Sequence, residues 1–240
     1  LNYWDVNVNG TINLLTVMKE NNCCNIVFSS SATIYKSDSS EKIKESHELH
    51  PINPYGNTKL TIEKFLGDLF NSERDKWRIA SLRYFNPAGA NPNGFLGEHI
   101  NSNATNLFPT IFNVLDNKKE YLEVYGNNWP TKDGTCVRDF IHVTDLARAH
   151  ILSLQYLINN DPQNTAINIG TGNGASVLEV INTFKEVLNL NIKYKFVKRR
   201  KGDYPYVVAD NSLAKSILKW QPSKNLSDIC KDSWNRHIQN

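Results

Sequence analysis

Ser31, Tyr55 and Lys59 are the residues whose types and spacing carry the most chemistry in this sequence. Tyr55-Gly56-Asn57-Thr58-Lys59 opens a strongly helical pattern, and Tyr and Lys at i and i+4 share one helix face. A phenol with an unperturbed pKa of about 10 is a poor base at neutral pH. An ammonium one turn away stabilises the phenolate and converts the pair into a general acid/base. Ser31 follows the apolar run Asn25-Ile26-Val27-Phe28, at the C-terminal edge of a strand, where open α/β sheets bind ligands. Its hydroxyl both donates and accepts, which suits a substrate hydroxyl becoming a ketone. Tyr-x-x-x-Lys alone is weak, because any surface helix start shows it by chance. Preceded by a strand and Ser29-Ser30-Ser31-Ala32-Thr33, it is far more specific.

The elements that must position these residues are legible as periodicities. Asp5 to Glu20 carries Val8, Ile12 and Leu15 on one helical stripe, with Leu14 and Met18 beside it. A polar connection from Lys36 to Pro54 precedes the clearest helix, whose apolar stripe is Ile62, Phe65, Leu66, Leu69 and Phe70. Arg78 to Tyr84 reads as a strand ending at Asn86-Pro87-Ala88-Gly89. Strands joined by helical crossovers predict a parallel sheet covered by helices. From about Asn91 the texture changes to Asn-, Gly- and Pro-rich loops. Two helices stand out there. One is capped by Thr144, with Ala147, His150, Ile151, Leu154 and Ile158 on its stripe. The other opens with a Ser176/Glu179 capping box before Val180, Ile181 and Phe184. Ala166-Ile167-Asn168-Ile169 and the alternating Ile192 to Phe196 read as strands. The periodicities therefore divide the chain into a parallel α/β region over residues 1–90 and a smaller α/β region leaning on it over 91–240.

Composition bounds the function. Over 240 residues, 40% hydrophobic and 21% charged is ordinary for a globular protein. A net charge of +3 is too small to argue for nucleic acid. The longest apolar runs fall short of a membrane span, and the opening residues lack a basic or apolar leader segment. Cys23, Cys24, Cys136 and Cys230 show neither C-x-x-C spacing nor a zinc-like Cys/His cluster, so no metal is expected and reduced thiols in the cytoplasm are.

With these motifs in view, the chain resembles the extended short-chain dehydrogenase/reductase family, and within it the UDP-hexose 4-epimerases. The resemblance is carried by Asn7-Val8-Asn9-Gly10-Thr11, the Phe28 to Tyr35 segment, Pro54 to Lys59 and Leu82-Arg83-Tyr84-Phe85-Asn86-Pro87. It continues through Asp133 to Val143 and Arg199-Arg200-Lys201-Gly202-Asp203. It implies that residues 1–90 are the remainder of an NAD-binding Rossmann domain whose parallel sheet lacks its first strands, and 91–240 mainly a UDP-sugar-binding region with segments returning to that domain. It also implies NAD as cofactor, a homodimer, and epimerisation at C4 of a UDP-hexose through a 4-keto sugar, as in galactose metabolism.

By this resemblance, Tyr55 takes the proton of the sugar 4-hydroxyl, and Ser31, helped by Thr33, bridges sugar and Tyr55. Lys59 also holds the nicotinamide ribose, whose cationic ring would lower the Tyr55 pKa further. Asn7, Ser29 and Phe85 would lie against the cofactor. Asn86, Asn106, Leu107, Arg138, Arg200 and Asp203 would surround the uridine diphosphate, with Tyr125 near the uracil. Guanidinium forks suit diphosphate oxygens. Val207 would stand beside the sugar, and its small size predicts that N-acetylated UDP-hexoses are accepted as well.

Several features carry plainer readings. Arg138-Asp139 can be a surface ion pair, His142 a group that satisfies backbone, and Gly170 to Gly174 a strand-to-helix loop rather than a phosphate cradle. Lys198 to Lys201 can be a solvated basic run. His99, Trp129 and Cys136 are read as structural. The family's opening strand, Gly-rich turn and acidic residue are not in this sequence. We therefore expect a fragment of a longer protein, poor at binding NAD and inactive by itself. The competing activities are a uronate epimerase, a dehydratase, or a non-catalytic member that binds NAD or a UDP-sugar. A dehydratase resembling this family would carry an Asp-Glu pair after its Thr; here Ser31-Ala32-Thr33 occupies that segment, which disfavours dehydration.

Overall fold

The computed structural model describes residues 1–38, 40–98 and 105–239. A π-helical stretch, Trp4–Asn9, runs into helix α1, Gly10–Glu20. Strand β1, Asn25–Ser31, ends in a 3-10 turn over Ala32–Ile34. Helix α2, Pro54–Ser72, leads to β2, Arg78–Tyr84. Strand β1 pairs with β2, and β2 with β6, Gln163–Ile169, all parallel. Strand β2 is therefore central, and Ile79 to Arg83 are buried on both faces, as covered parallel strands require.

On one face of this sheet, Leu15 of α1 and Ile62 and Leu66 of α2 pack on Ile26, Phe28 and Ile79, closed by Trp77. On the other, Ala80, Leu82, Ile167 and Ile169 meet helix α4, Val143–Ile158, and Trp220. Helix α6, Ser212–Ile217, adds Ala214 to that face. The second part of the molecule is built on β3, Asn86–Ala88, β5, Val137–His142, and β7, Gly174–Ser176. Strand β5 also pairs with β9, Tyr206–Val207, while β4, Leu122–Tyr125, pairs with β8, Tyr194–Val197. Helices α3, Leu107–Leu115, α5, Val177–Leu188, and α7, Leu226–Ile238, enclose a core centred on Phe108, Phe112, Phe140 and Phe184.

Four local expectations are corrected. The buried face of α1 is centred on Leu15, with Val8 and Met18 packed beside it, and Ile12 is exposed. Helix α4 buries Asp145, Ala149, Ser153 and Leu157, whereas Ile151, Leu154 and Ile158 face outward. That helix is apolar on two faces, so periodicity alone could not choose between them. Its cap is His142, whose Nδ1 accepts from Thr144 N–H at 3.1 Å, and not Thr144. Helices α3, α6 and α7 lay unread in the loop-like texture, although Asn225 and Asp228 form a capping box as complete as that of Ser176 and Glu179. His99 lies outside the described residues.

Candidate active site

Strand β1 delivers Ser31 to the C-terminal edge of the parallel sheet, in register with Tyr84 at the end of β2. Helix α2 returns to the same edge. Asn53 caps it by accepting from Gly56 N–H at 2.8 Å, and Pro54 occupies the first turn, where its missing N–H costs nothing. A Cβ on Gly56 would sit 2.7 Å from the Thr33 carbonyl oxygen. Glycine there lets the first turn of α2 press against the 3-10 turn after Ser31.

Tyr55 and Lys59 are thereby brought to Ser31. Thr33 Oγ1 donates to Ser31 Oγ at 3.0 Å, and the Ser31 hydroxyl also accepts from Thr33 N–H at 3.2 Å. Lys59 Nζ donates to the Ser29 carbonyl at 2.9 Å and lies 5.5 Å from the Tyr55 ring centroid and 5.1 Å from that of Phe28. The ammonium therefore stands over the ring rather than at the hydroxyl. Burial pushes the Tyr55 phenol above its ordinary pKa, reinforced by Tyr84 and Tyr3 and opposed by the Ser31 hydroxyl. Burial likewise lowers the Lys59 ammonium. The Lys59 ammonium by itself therefore does not offset the cost of burying a phenolate here.

The residues matched to the cofactor side are less uniform. Asn7 Nδ2 donates to Thr58 Oγ1 at 2.9 Å, fixing the amide beside the start of α2. Ser29 offers its carbonyl to Lys59, and its hydroxyl meets His150 Nε2 at 3.1 Å. Phe85 is buried, 6% exposed, in a cluster with Ala32, Ile34, Tyr35 and Ala209.

Asn86 joins this edge to a cavity of about 720 Å³. Asn86, Asn106, Leu107, Tyr125, Arg138, Arg200 and Asp203 all line it. Asn106 and Leu107 begin α3, Tyr125 ends β4, and Arg138 lies on β5. Arg138 donates to the carbonyls of Val137 and Tyr204 at 2.9 and 2.8 Å and stands 3.6 Å from Asp203, so its guanidinium is held in place. Arg200 lies over the Tyr125 ring at 4.2 Å, and Arg199 over Trp129 at 4.0 Å, so the two arginines of this exposed basic run rest on aromatic faces. Asp139 does not pair with Arg138. It is wholly buried and accepts from the backbone of Thr171, Gly172 and Ala209. The Gly170 to Gly174 loop thus holds a carboxylate of this chain, not a phosphate. Val207 pairs with Arg138 across β5 and β9 and packs against the cluster that contains Ala32 and Phe85.

Glu98 and Lys195 also line the cavity and had no signal in the sequence; Glu98 Oε1 accepts from Asn106 Nδ2 at 3.3 Å. Among the described residues no group of three or more His, Cys, Asp or Glu is placed to hold a metal ion. None of their helices is long and apolar enough to cross a membrane.

An open parallel α/β sheet with Ser, Tyr and Lys at its carboxyl edge defines the class, and the chain belongs to the NAD dependent epimerase/dehydratase family, whose pattern matches residues 1–170. It is 44% identical over 98% of its length to UDP-glucose 4-epimerase of Bacillus subtilis (strain 168). It is 43% identical over its whole length to the bifunctional protein GAL10 of Pachysolen tannophilus. The chain spans 68% of the first relative and 36% of the second. A crystal structure of UDP-glucose-4-epimerase from Stenotrophomonas maltophila, with bound NAD and formylated UDP-arabinopyranose, is 39% identical and superposes with a TM-score of 0.95. That match covers 99% of this chain and 70% of the other.

Proposed function

We propose that this chain is the catalytic and nucleotide-sugar-binding part of an NAD-dependent UDP-hexose 4-epimerase. One observation carries the reading: Ser31, Tyr55 and Lys59 meet at the sheet edge from which Asn86 leads into a cavity walled by Arg138 and Arg200. The donor set suits NAD. Lys59 commits one ammonium hydrogen to Ser29, no carboxylate among the described residues pairs with it, and the other two are available to ribose hydroxyls.

NAD, when bound, supplies the hydride acceptor and donor at sugar C4. With the cationic nicotinamide ring beside it to lower its pKa, Tyr55 as phenolate would take the proton of the 4-hydroxyl and return it to the 4-keto sugar, with Ser31 and Thr33 bridging the two oxygens. Asn7, Ser29 and Phe85 flank the cofactor. Arg138 and Arg200 hold the diphosphate, Asn86, Asn106, Leu107 and Asp203 surround the nucleotide, and Tyr125 carries the uracil. Anchoring at the nucleotide leaves the sugar free to turn its other face. Val207 leaves room beside the sugar for an acetamido group. In this reading residues up to about 90 serve the cofactor, and those beyond serve mainly the UDP-sugar.

The protein acts in the cytoplasm as a homodimer. Four free thiols support the compartment. Leu14 and Val17 of α1 and Phe65 of α2, exposed on adjacent helices, support the pairing.

The test is to incubate the whole protein with UDP-galactose and measure UDP-glucose. Conversion abolished by Tyr55→Phe is expected; NAD retention without conversion would overturn the reading. UDP-N-acetylgalactosamine should also turn over, and Val207→Tyr should remove that activity while sparing UDP-galactose.

A further inference from the structure

Tyr55, Lys59 and Glu63 follow one another at i, i+4 and i+8 along a single face of α2. The first two reach the sheet edge, and the third ends in a buried cluster. Ser30 of β1 and Arg83 of β2 are directly opposed in the sheet register, and both bond Glu63. Ser30 Oγ donates to Glu63 Oε1, while Arg83 Nε donates to both carboxylate oxygens at 3.0 and 3.2 Å and Nη2 pairs with Oε2.

The far side of Arg83 is also fixed. Its Nη1 donates to the Tyr35 hydroxyl at 2.9 Å and to the Glu45 carbonyl at 3.0 Å. The Tyr35 hydroxyl donates to Asn168 Oδ1 at 2.8 Å, and Asn168 N–H donates to Glu45 Oε1 at 2.8 Å. The network joins α2, all three strands of the parallel sheet, and the connection that leads into the α2 cap. Ser30 and Asn168 are wholly buried, Tyr35 is 2% exposed and Arg83 6%.

A buried ion pair adds little stability over apolar side chains of similar volume. What it adds is direction: an apolar contact tolerates rotation of α2 about its axis, whereas two strands gripping one carboxylate do not. Ser30 is also the immediate neighbour of Ser31.

We propose that Glu63, gripped by Arg83 and Ser30, is a positioning residue that sets the rotation of α2 and so aims Tyr55 and Lys59 at Ser31. The inference rests on the epimerase reading above. Its test, in the whole protein, is the paired apolar swap Glu63→Leu/Arg83→Met together with Ser30→Ala. For the swap the thermal midpoint should hold or rise while kcat on UDP-galactose falls about 10- to 100-fold at nearly constant KM, the cost of a misplaced catalytic group. The acidic limb of the kcat–pH profile, set by the ionisation of Tyr55, should move upward. Ser30→Ala removes one bond of the network and should lower kcat several-fold in the same pattern, and it decides the matter if the swap does not fold.

Unchanged kcat and pH profile in both variants would overturn the proposal. So would a fall in kcat that merely tracks a fall in midpoint. Should the wild type lack activity on UDP-galactose, the functional reading fails on its own. The ultraviolet ionisation of Tyr55, taken as the difference from Tyr55→Phe, then tests the positioning: no shift on Ser30→Ala sinks it.

Discussion

Lys59 Nζ donates to the Ser29 carbonyl across 2.9 Å, which fastens the first turns of α2 to the end of β1 while leaving the ammonium over the Tyr55 ring. The bond satisfies a carbonyl of the sheet edge, and it holds the charge where a phenolate forms. Lys59→Met should therefore act on the chemical step more than on binding. We expect kcat to fall at least about 100-fold, the span of a lost acid/base partner, with the acidic limb of the pH–rate profile, where Tyr55 loses its proton, displaced upward. A steady-state pH series on UDP-galactose checks this. A Lys59→Met enzyme with an unchanged limb would show that the ammonium serves only the backbone.

The closeness of α2 to Ser31 depends on Gly56. Any side chain there meets the Thr33 carbonyl at 2.7 Å and Pro51 Cβ at 2.9 Å, so either the helix start or the 3-10 turn must retreat. Gly56→Ala should destabilise the protein by about 1–3 kcal/mol, the range for overpacking. Denaturant titration measures that loss. Because Tyr55 is the adjacent residue, kcat should fall in the same variant under conditions where it remains folded.

Arg138 and Arg200 should separate in their kinetic effects. Arg138 is braced by two carbonyls and Asp203, whereas Arg200 is exposed and rests on the Tyr125 ring. Arg138→Ala removes a preformed phosphate site, and we expect KM for UDP-galactose to rise about 10- to 100-fold, as for loss of a hydrogen bond to a charged group. Arg200 must leave its stack to engage a phosphate, so Arg200→Ala should raise KM less, and Tyr125→Leu should weaken binding along with it. Titration with UDP alone distinguishes the two, since neither arginine is asked to act on the sugar.

The reactive centre was legible because it is local. Ser31 closes one apolar strand, and Tyr55 and Lys59 open one helix, so each declares itself in a few consecutive residues. The walls of the cavity were reached only through family resemblance, because α3, β4, β5 and the loop after β8 come from distant stretches whose spacing says nothing of their meeting. Glu98 and Lys195 were missed for that reason. The grip of Arg83 on Glu63 was invisible: Arg83 looked like a strand residue, and nothing local pairs side chains twenty positions apart. Helix α4 was found but turned the wrong way, because both of its faces are apolar and the sheet chose the one bearing Ala149, Ser153 and Leu157. The Gly170 loop was rightly read as a connection rather than a phosphate cradle, but its grip on Asp139 was not foreseen, because Asp139 reads locally as a partner for Arg138.

His142 supplies a pH-dependent contribution to stability. Its ring is wholly buried at the start of α4, with Nδ1 accepting from Thr144 N–H and Nε2 against Asp232 Oδ2 at 3.1 Å. Burial holds its pKa below the usual histidine value, although Asp232 pulls the other way and Lys224 lies close by. The folded state therefore binds a proton less readily than the unfolded chain. This contribution is complete above the unfolded pKa of about 6.5 and is lost as pH falls from there toward the depressed folded value. The slope is at most about 1.4 kcal/mol per pH unit, the limit for a single titrating group. In His142→Gln that slope should vanish, so the stability gap between wild type and variant should narrow from pH 7 to pH 5.5. Urea unfolding at both pH values measures it. A gap that stays constant would mean that the imidazole titrates alike in both states, and that Asp232 fully offsets the cost of burial.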